Sequence, residues 1–135
     1  MKRIDPKAVF IAMLLSLLLG LVGSSLVTTA FSSELDSSMG PEQVSAALLQ
    51  HTDFLLVLLF LDAITTVIGG YVAARLARGY PYFNALAIGL LGIALGIVLE
   101  VLFGSDVPGW VDAISYIVAV PAALFGGNLA KPRNE

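Results

Sequence analysis

The chain has 135 residues, of which 58% are hydrophobic and 13% charged, and its mean hydropathy is +0.92. Soluble domains use about 25% charged residues, so this composition excludes an ordinary soluble domain and indicates an integral membrane protein. The sequence contains no cysteine, which excludes disulfide bonds, thiolate metal sites and thiol catalysis.

The first apolar segment covers about residues 8–31. It is longer than the roughly 7–15 residues of a signal-peptide core, so we predict a retained membrane span. The polar, acidic stretch 32–38 then predicts a loop outside the membrane. Pro41 after Gly40 is typical of a helix start, and we predict a short helix at the outer surface over about residues 41–50.

Three further apolar segments follow, at about residues 54–75, 82–104 and 110–130. Each of the four segments is long enough to cross a hydrocarbon core of roughly 30 Å, which takes about 20 helical residues. The connections between them are short. The sequence therefore predicts an all-α fold, with residues 1–135 forming a single transmembrane bundle of four helices.

All seven basic residues lie at the same end of the apolar segments. They precede the first segment, separate the second from the third, and follow the fourth: Lys2, Arg3, Lys7, Arg75, Arg78, Lys131 and Arg133. Because basic residues accumulate on the cytoplasmic side of a membrane, this pattern predicts that both termini are cytoplasmic. Arg75 and Arg78 are candidates to contact anionic lipid head groups at that surface.

A weak internal repeat relates the second and fourth segments. Residues 61–65 (LDAIT) resemble residues 111–115 (VDAIS), and a Gly-Gly pair follows seven residues after Asp62 and fourteen after Asp112. If the glycine pairs lie at equal depth, Asp112 lies near the outer surface and Asp62 well inside the bundle. Two helical hairpins of common origin would explain this pattern, as would a chance match between apolar segments.

Small residues recur at helical spacing in every predicted span. Steps of three and four residues keep them on one helix face, where they let neighbouring backbones approach closely. The predicted packing positions are Ser16, Gly20, Gly23, Gly69, Gly89, Gly92, Gly96 and Gly126. Such faces can serve the bundle itself, a homo-oligomer or a larger membrane complex, and the sequence leaves these alternatives open.

Asp62 is the acidic residue that lies deepest in a predicted span, and no basic residue of the chain lies near it in depth. A charged side chain at the centre of a membrane helix costs about 2.5–3.5 kcal/mol. Asp62 is therefore protonated and hydrogen-bonded, hydrated in a cavity, or paired with a cation from a partner. Ser24, Ser25 and Tyr116 are predicted to lie at a similar depth and are candidate hydrogen-bond partners of Asp62. Ser24, Tyr116 and Thr66 complete this candidate intramembrane site with Glu100, which lies closer to the outer surface and is expected to be solvated.

Three functions are compatible with these features. The first is an accessory or scaffold subunit that packs through small-residue faces, and the short chain favours it over the second, a proton- or cation-coupled transporter or channel component using Asp62 and Glu100. The third is a lipid or hydrophobic-ligand binder. Since the sequence has no catalytic triad, phosphate loop, histidine cluster or nucleic-acid stripe, we expect no enzyme, cofactor, metal or nucleic-acid partner.

Residues 69–78 (GGYVAARLAR), followed by Asn84, Ala85 and Gly89, carry one resemblance. This pattern resembles small four-span bacterial inner-membrane proteins of unknown function, in which a Gly-Gly-Tyr-x-Ala-x-Arg segment closes the second span. The resemblance implies a helical bundle whose partner is the lipid bilayer of the bacterial cytoplasmic membrane. It implies no activity.

Overall fold

A computed structural model of the protein describes residues 4–131. They form α1 (Pro6–Ser32), α2 (Pro41–Leu49), α3 (Thr52–Leu76), α4 (Pro81–Phe103) and α5 (Gly109–Ala130). The helices α1, α3, α4 and α5 are long and apolar enough to cross a membrane. The predicted all-α fold with four candidate spans is confirmed, and every predicted boundary lies within two residues of the observed one. Lys2, Arg3 and Arg133 lie outside the described residues.

Proline marks the start of three helices, at Pro6, Pro41 and Pro81. Proline suits this position because the first backbone N–H of a helix has no partner within the helix. Asp5 caps α1, and its side chain accepts hydrogen bonds from the backbone N–H groups of Lys7 (3.1 Å) and Ala8 (3.3 Å). These local signals explain why the helix starts were predictable.

The helices α3 and α5 lie side by side and run in the same direction. Their glycine pairs form the crossing: Gly70 lies against the backbone of Ala123, and Gly126 lies against the backbone of Val67 and Tyr71. The helices α1 and α4 run in the opposite direction. The glycine pairs thus lie at similar depth, as the repeat requires, while the common origin of the two hairpins stays a prediction.

The bundle has two ends that differ in charge. We call the end that carries Lys7, Arg75, Arg78 and Lys131 the basic end, and the opposite end, which carries the 33–51 and 104–108 connections, the acidic end. Near the basic end, small and aliphatic side chains pack closely in one buried cluster: Val9, Ala12, Ala73, Ile88 and Ala123.

A second buried cluster lies at the acidic end, and it includes α2. Leu48 of α2 is 2% exposed and packs with Phe54 and Leu55 of α3 and Val111 of α5. The rings of Phe31 and Phe54 meet edge to face, with their centroids 5.4 Å apart. The predicted short helix therefore exists and folds against the ends of the long helices.

Asn84 joins α1, α4 and the turn before α4 at the basic end. It is fully buried, and its side-chain oxygen accepts a hydrogen bond from the backbone N–H of Asp5 over 2.7 Å. Its amide nitrogen donates to the carbonyl oxygens of Gly79 (3.2 Å) and Tyr80 (3.0 Å). Because a buried amide needs partners for both its donors and its acceptor, this site holds the start of α1 firmly against α4.

Candidate functional site

The candidate site is a cleft between α1 and α4. These helices meet at the basic end through Asn84. Toward the acidic end, α1 follows α3, where Gly23 lies against Leu61, and α4 follows α5, where Gly96 lies against the ring of Tyr116. The two helices therefore diverge, and the space between them is a cleft of about 750 Å³ that all four long helices line.

Aliphatic side chains of α1 and α4 form the apolar part of the cleft. They include Met13, Leu17, Leu21, Ile88, Ile93, Leu95 and Leu99. Gly20 and Gly92 also line the cleft, and a Cβ added to either would meet no atom within 4 Å. Within the described part of the chain, these two glycines therefore do not pack against a neighbouring helix, and their packing against a partner stays a prediction. They widen the cleft instead, because they place no side chain in it.

Asp62 of α3 lies in the polar part of the cleft, where Ser115 of α5 binds its carboxyl group. The Ser115 hydroxyl donates to Asp62 Oδ2 over 2.6 Å. Thr66 also lines the cleft, but its hydroxyl donates to the backbone carbonyl of Asp62 over 2.8 Å rather than to the carboxyl. The Asp62 side chain stays exposed despite these contacts. Asp62 thus combines a hydroxyl partner with open volume.

Two more carboxyl groups line the same cleft, nearer the acidic end. The Tyr116 hydroxyl donates to Glu100 Oε2 over 3.1 Å, and the Ser105 hydroxyl donates to Asp112 Oδ2 over 3.1 Å. Together with Asp62, they give three carboxyl groups that each accept one side-chain hydroxyl. A carboxyl group in this setting can take up a proton, accept N–H donors or balance a positive charge.

The structure brings most of the predicted polar residues together. Asp62, Glu100, Thr66 and Tyr116 all line the cleft. The prediction that Ser24 belongs to this polar site is wrong. Ser24 does not line the cleft, and its hydroxyl donates to the carbonyl of Leu21 on its own helix over 3.1 Å. Serine hydroxyls in helices often bond the preceding turn in this way, so similar depth in the bundle was not sufficient.

Sequence reasoning missed the role of Ser115 as the partner of Asp62 and the position of Asp112 in the cleft. One signal was present: Asp112, Ser115 and Ala119 follow one another at steps of three and four residues, which places them on one face of α5. All three residues line the cleft. The missing information was that α3 and α5 are parallel neighbours.

The remaining predicted packing residues lie in contacts between helices of the chain. They are Ser16, Gly23, Gly69, Gly89, Gly96 and Gly126. At one of these contacts, the Ser16 hydroxyl donates to the carbonyl of Thr65 over 3.3 Å and lies against Gly69. These small-residue faces are therefore used inside the bundle.

The basic end carries exposed cations. Arg75 and Arg78 are exposed, and the Lys131 ammonium lies 4.0 Å from the centre of the Tyr82 ring. The Tyr82 hydroxyl donates to Asn128 Oδ1 over 3.0 Å, which fixes the ring beside the ammonium. Contact of the two arginines with lipid head groups stays a prediction.

Within residues 4–131, no three histidine, aspartate or glutamate side chains come together as a metal site. The fold and the cleft define the class: a multi-pass α-helical membrane protein with a polar-lined cleft among its four long helices. Comparisons with protein-family models, curated proteins and solved structures found no match for the chain. The resemblance to small bacterial four-span proteins therefore stays a prediction.

Proposed function

We propose that this protein binds an amphiphilic molecule of the bilayer in the cleft between α1 and α4. The cleft carries the proposal, because its volume of about 750 Å³ lies within the roughly 300–1,000 Å³ of small-molecule sites. Such sites are mainly apolar with a few polar groups that orient the ligand. The aliphatic part of this cleft suits a hydrocarbon chain, and its carboxyl and hydroxyl groups suit a polar head.

We also propose that the protein lies in the bacterial cytoplasmic membrane with both termini in the cytoplasm. The basic residues support this orientation, since Lys7, Arg75, Arg78 and Lys131 share one end of the bundle. The carboxyl groups of the cleft would then face the outer half of the bilayer. A single-chain amphiphile of the outer leaflet would reach them by entering between α1 and α4.

The binding proposal can be tested by native mass spectrometry of the purified protein. We would add three dodecyl amphiphiles with different head groups: dodecanol, dodecylamine and dodecanoate. At least one should form a one-to-one complex with the wild type. The Gly92→Phe variant, which fills the cleft, should lose that complex.

Gly109→Phe is the matched control for this experiment. Gly109 is also a helical glycine whose added Cβ would meet no atom within 4 Å, but it does not line the cleft. This variant should retain the complex. Equal retention by Gly92→Phe, or failure of all three amphiphiles to form a one-to-one complex with the wild type, would contradict binding in the cleft.

Proton or cation transport is a second candidate, which the shared location of Asp62 and Glu100 in one cleft supports. A carboxyl group that is reached from one side and held by a hydroxyl can bind and release a proton. The test is flux into vesicles that contain the reconstituted protein, with Asp62→Asn as the variant. Transport requires flux with the wild type and its loss in Asp62→Asn. Unchanged flux in the variant, or no flux with the wild type, would contradict this candidate function.

The accessory-subunit and homo-oligomer interpretations receive less support from the small-residue faces. Six of the eight predicted packing residues contact other helices of the same chain, which leaves Gly20 and Gly92 as the predicted positions open to a partner. Blue-native electrophoresis of the gently solubilised protein tests the interpretation. A larger complex or a co-purifying partner would support it, and monomer alone would count against it.

A further inference from the structure

We infer that the amphiphile bound in the cleft carries a primary ammonium group, which binds in the part of the cleft that Asp62, Glu100 and Asp112 line. This inference rests on the proposed binding function of the cleft and names the chemistry of its ligand. The cleft is large enough for a hydrocarbon chain along α1 and α4. The part of the cleft that carries carboxyl and hydroxyl groups determines which head group can bind.

The charges of the cleft all have one sign. Among the described residues that line it, the ionisable side chains near neutral pH are Asp62, Glu100 and Asp112, and none is lysine, arginine or histidine. An anionic head group would therefore be repelled. A positively charged head group is complementary to the cleft, and none of the described lining residues supplies a cation to compete for this place.

The hydroxyl partners in the cleft do not replace a cation. Ser115 donates to Asp62, Tyr116 to Glu100 and Ser105 to Asp112. These bonds hold one oxygen of each carboxyl group in place, but a neutral hydroxyl leaves the charge of a carboxylate unbalanced. Because a carboxylate can accept about four hydrogen bonds, each of the three retains capacity for a donor from a ligand.

The hydrogen-bonding capacity favours a primary amine over a quaternary one. A primary ammonium group has N–H donors that a carboxylate of the cleft can accept, whereas a quaternary ammonium group has none. Quaternary ammonium groups are recognised through aromatic faces instead. Tyr116 and Phe103 are the aromatic residues among the described lining, which is too few for an aromatic cage.

The test compares dodecylamine, dodecanol, dodecanoate and dodecyltrimethylammonium as ligands in native mass spectrometry, at a pH at which the amine is protonated. The chain length is constant, so differences report on the head group. Dodecylamine should bind the wild type about tenfold or more tightly than dodecanol, because a hydrogen bond to a charged group contributes at least that factor. It should also exceed the quaternary compound.

Matched carboxyl variants locate the ammonium group. Asp62→Asn and Glu100→Gln should each weaken dodecylamine binding about tenfold more than they weaken dodecanol binding. Asp106→Asn removes the same charge at the acidic end but outside the cleft, so it should have little effect. Asp62→Asn retains an oxygen for the Ser115 hydroxyl, and a thermal melt of each variant verifies that it is folded.

The outcomes separate the ligand chemistry from the binding function. Equal one-to-one binding of dodecylamine and dodecanol, both lost in Gly92→Phe, would overturn the ammonium inference and leave the binding function intact. An equal loss of dodecylamine in Asp106→Asn and Asp62→Asn would also overturn it, since surface charge would then explain the preference. Absence of any one-to-one complex would overturn both.

Discussion

Replacing Gly126 with alanine should force α3 and α5 apart. An added Cβ would overlap the carbonyl oxygen of Val67 and lie 2.8 Å from the backbone nitrogen of Tyr71. Both are backbone atoms of α3, so neither can rotate away as a flexible side chain would. Gly92 offers a matched comparison, because a Cβ added there would meet no atom within 4 Å.

The two substitutions should change the free energy of unfolding in opposite directions. Overpacking in a closely packed interior costs about 1–3 kcal/mol, and sometimes more. Alanine in place of glycine returns about 1 kcal/mol in a helix, through the smaller entropy of the unfolded chain. Because the added Cβ overlaps backbone atoms, Gly126→Ala should cost about 3 kcal/mol, the upper end of this range, and so lose about 2 kcal/mol net. Gly92→Ala should gain up to about 1 kcal/mol.

Equilibrium unfolding in mixed micelles can measure these changes. Trp110 is the single tryptophan of the chain, and it lies at the start of α5, so its fluorescence reports on the fold without a label. The unfolding midpoint of Gly126→Ala should lie below that of the wild type, and the midpoint of Gly92→Ala should lie above it. A Gly126→Ala variant as stable as the wild type would refute the close approach of α3 and α5. A destabilised Gly92→Ala variant would refute the open space at Gly92.

Two further predictions concern the basic end and the orientation of the chain. Asn84→Ala should lower the free energy of unfolding by about 1–3 kcal/mol, because it leaves the partly buried N–H of Asp5 and the carbonyl oxygens of Gly79 and Tyr80 without this partner. Asn128→Ala, at an exposed site, should cost less than about 1 kcal/mol in the same melt. The chain contains no cysteine, so single cysteines can report topology. Ser37→Cys should react with an impermeant maleimide in spheroplasts, and Gly79→Cys only after permeabilisation; the reverse pattern would contradict the proposed orientation.

The positions of the helices were predictable because the controlling signals are local. Apolar length sets the span, and Pro6, Pro41 and Pro81 mark helix starts from within the sequence itself. The predicted small-residue faces also agree in part with the helix contacts of the structure. Gly69 and Gly126 were correctly placed in helix contacts, since only a small residue permits such close approach of two backbones.

The neighbours of each helix were not predictable, because they depend on how whole faces match. Their similar depth in the predicted spans pointed to Ser24 and Tyr116 as hydrogen-bond partners of Asp62. In the structure, the parallel contact of α3 and α5 makes Ser115 that partner. Gly92 shows the same limit. A glycine that permits close packing and a glycine that borders a cleft follow the same spacing, and only the divergence of α1 and α4 distinguishes them.

The bundle is closely packed near the basic end and open toward the acidic end, and the same helix contacts explain both. In the half near the basic end, glycines and alanines let the described helices approach closely, and aliphatic side chains fill the buried cluster between them. A carboxylate there would lose its hydration without gaining a counter-charge. Toward the acidic end, Leu61 and the Tyr116 ring lie where α1 meets α3 and α4 meets α5, and the cleft opens between these two pairs. The carboxyl groups of Asp62 and Glu100 can therefore stay reachable only in this half, which is the condition that a ligand with a positive head group requires.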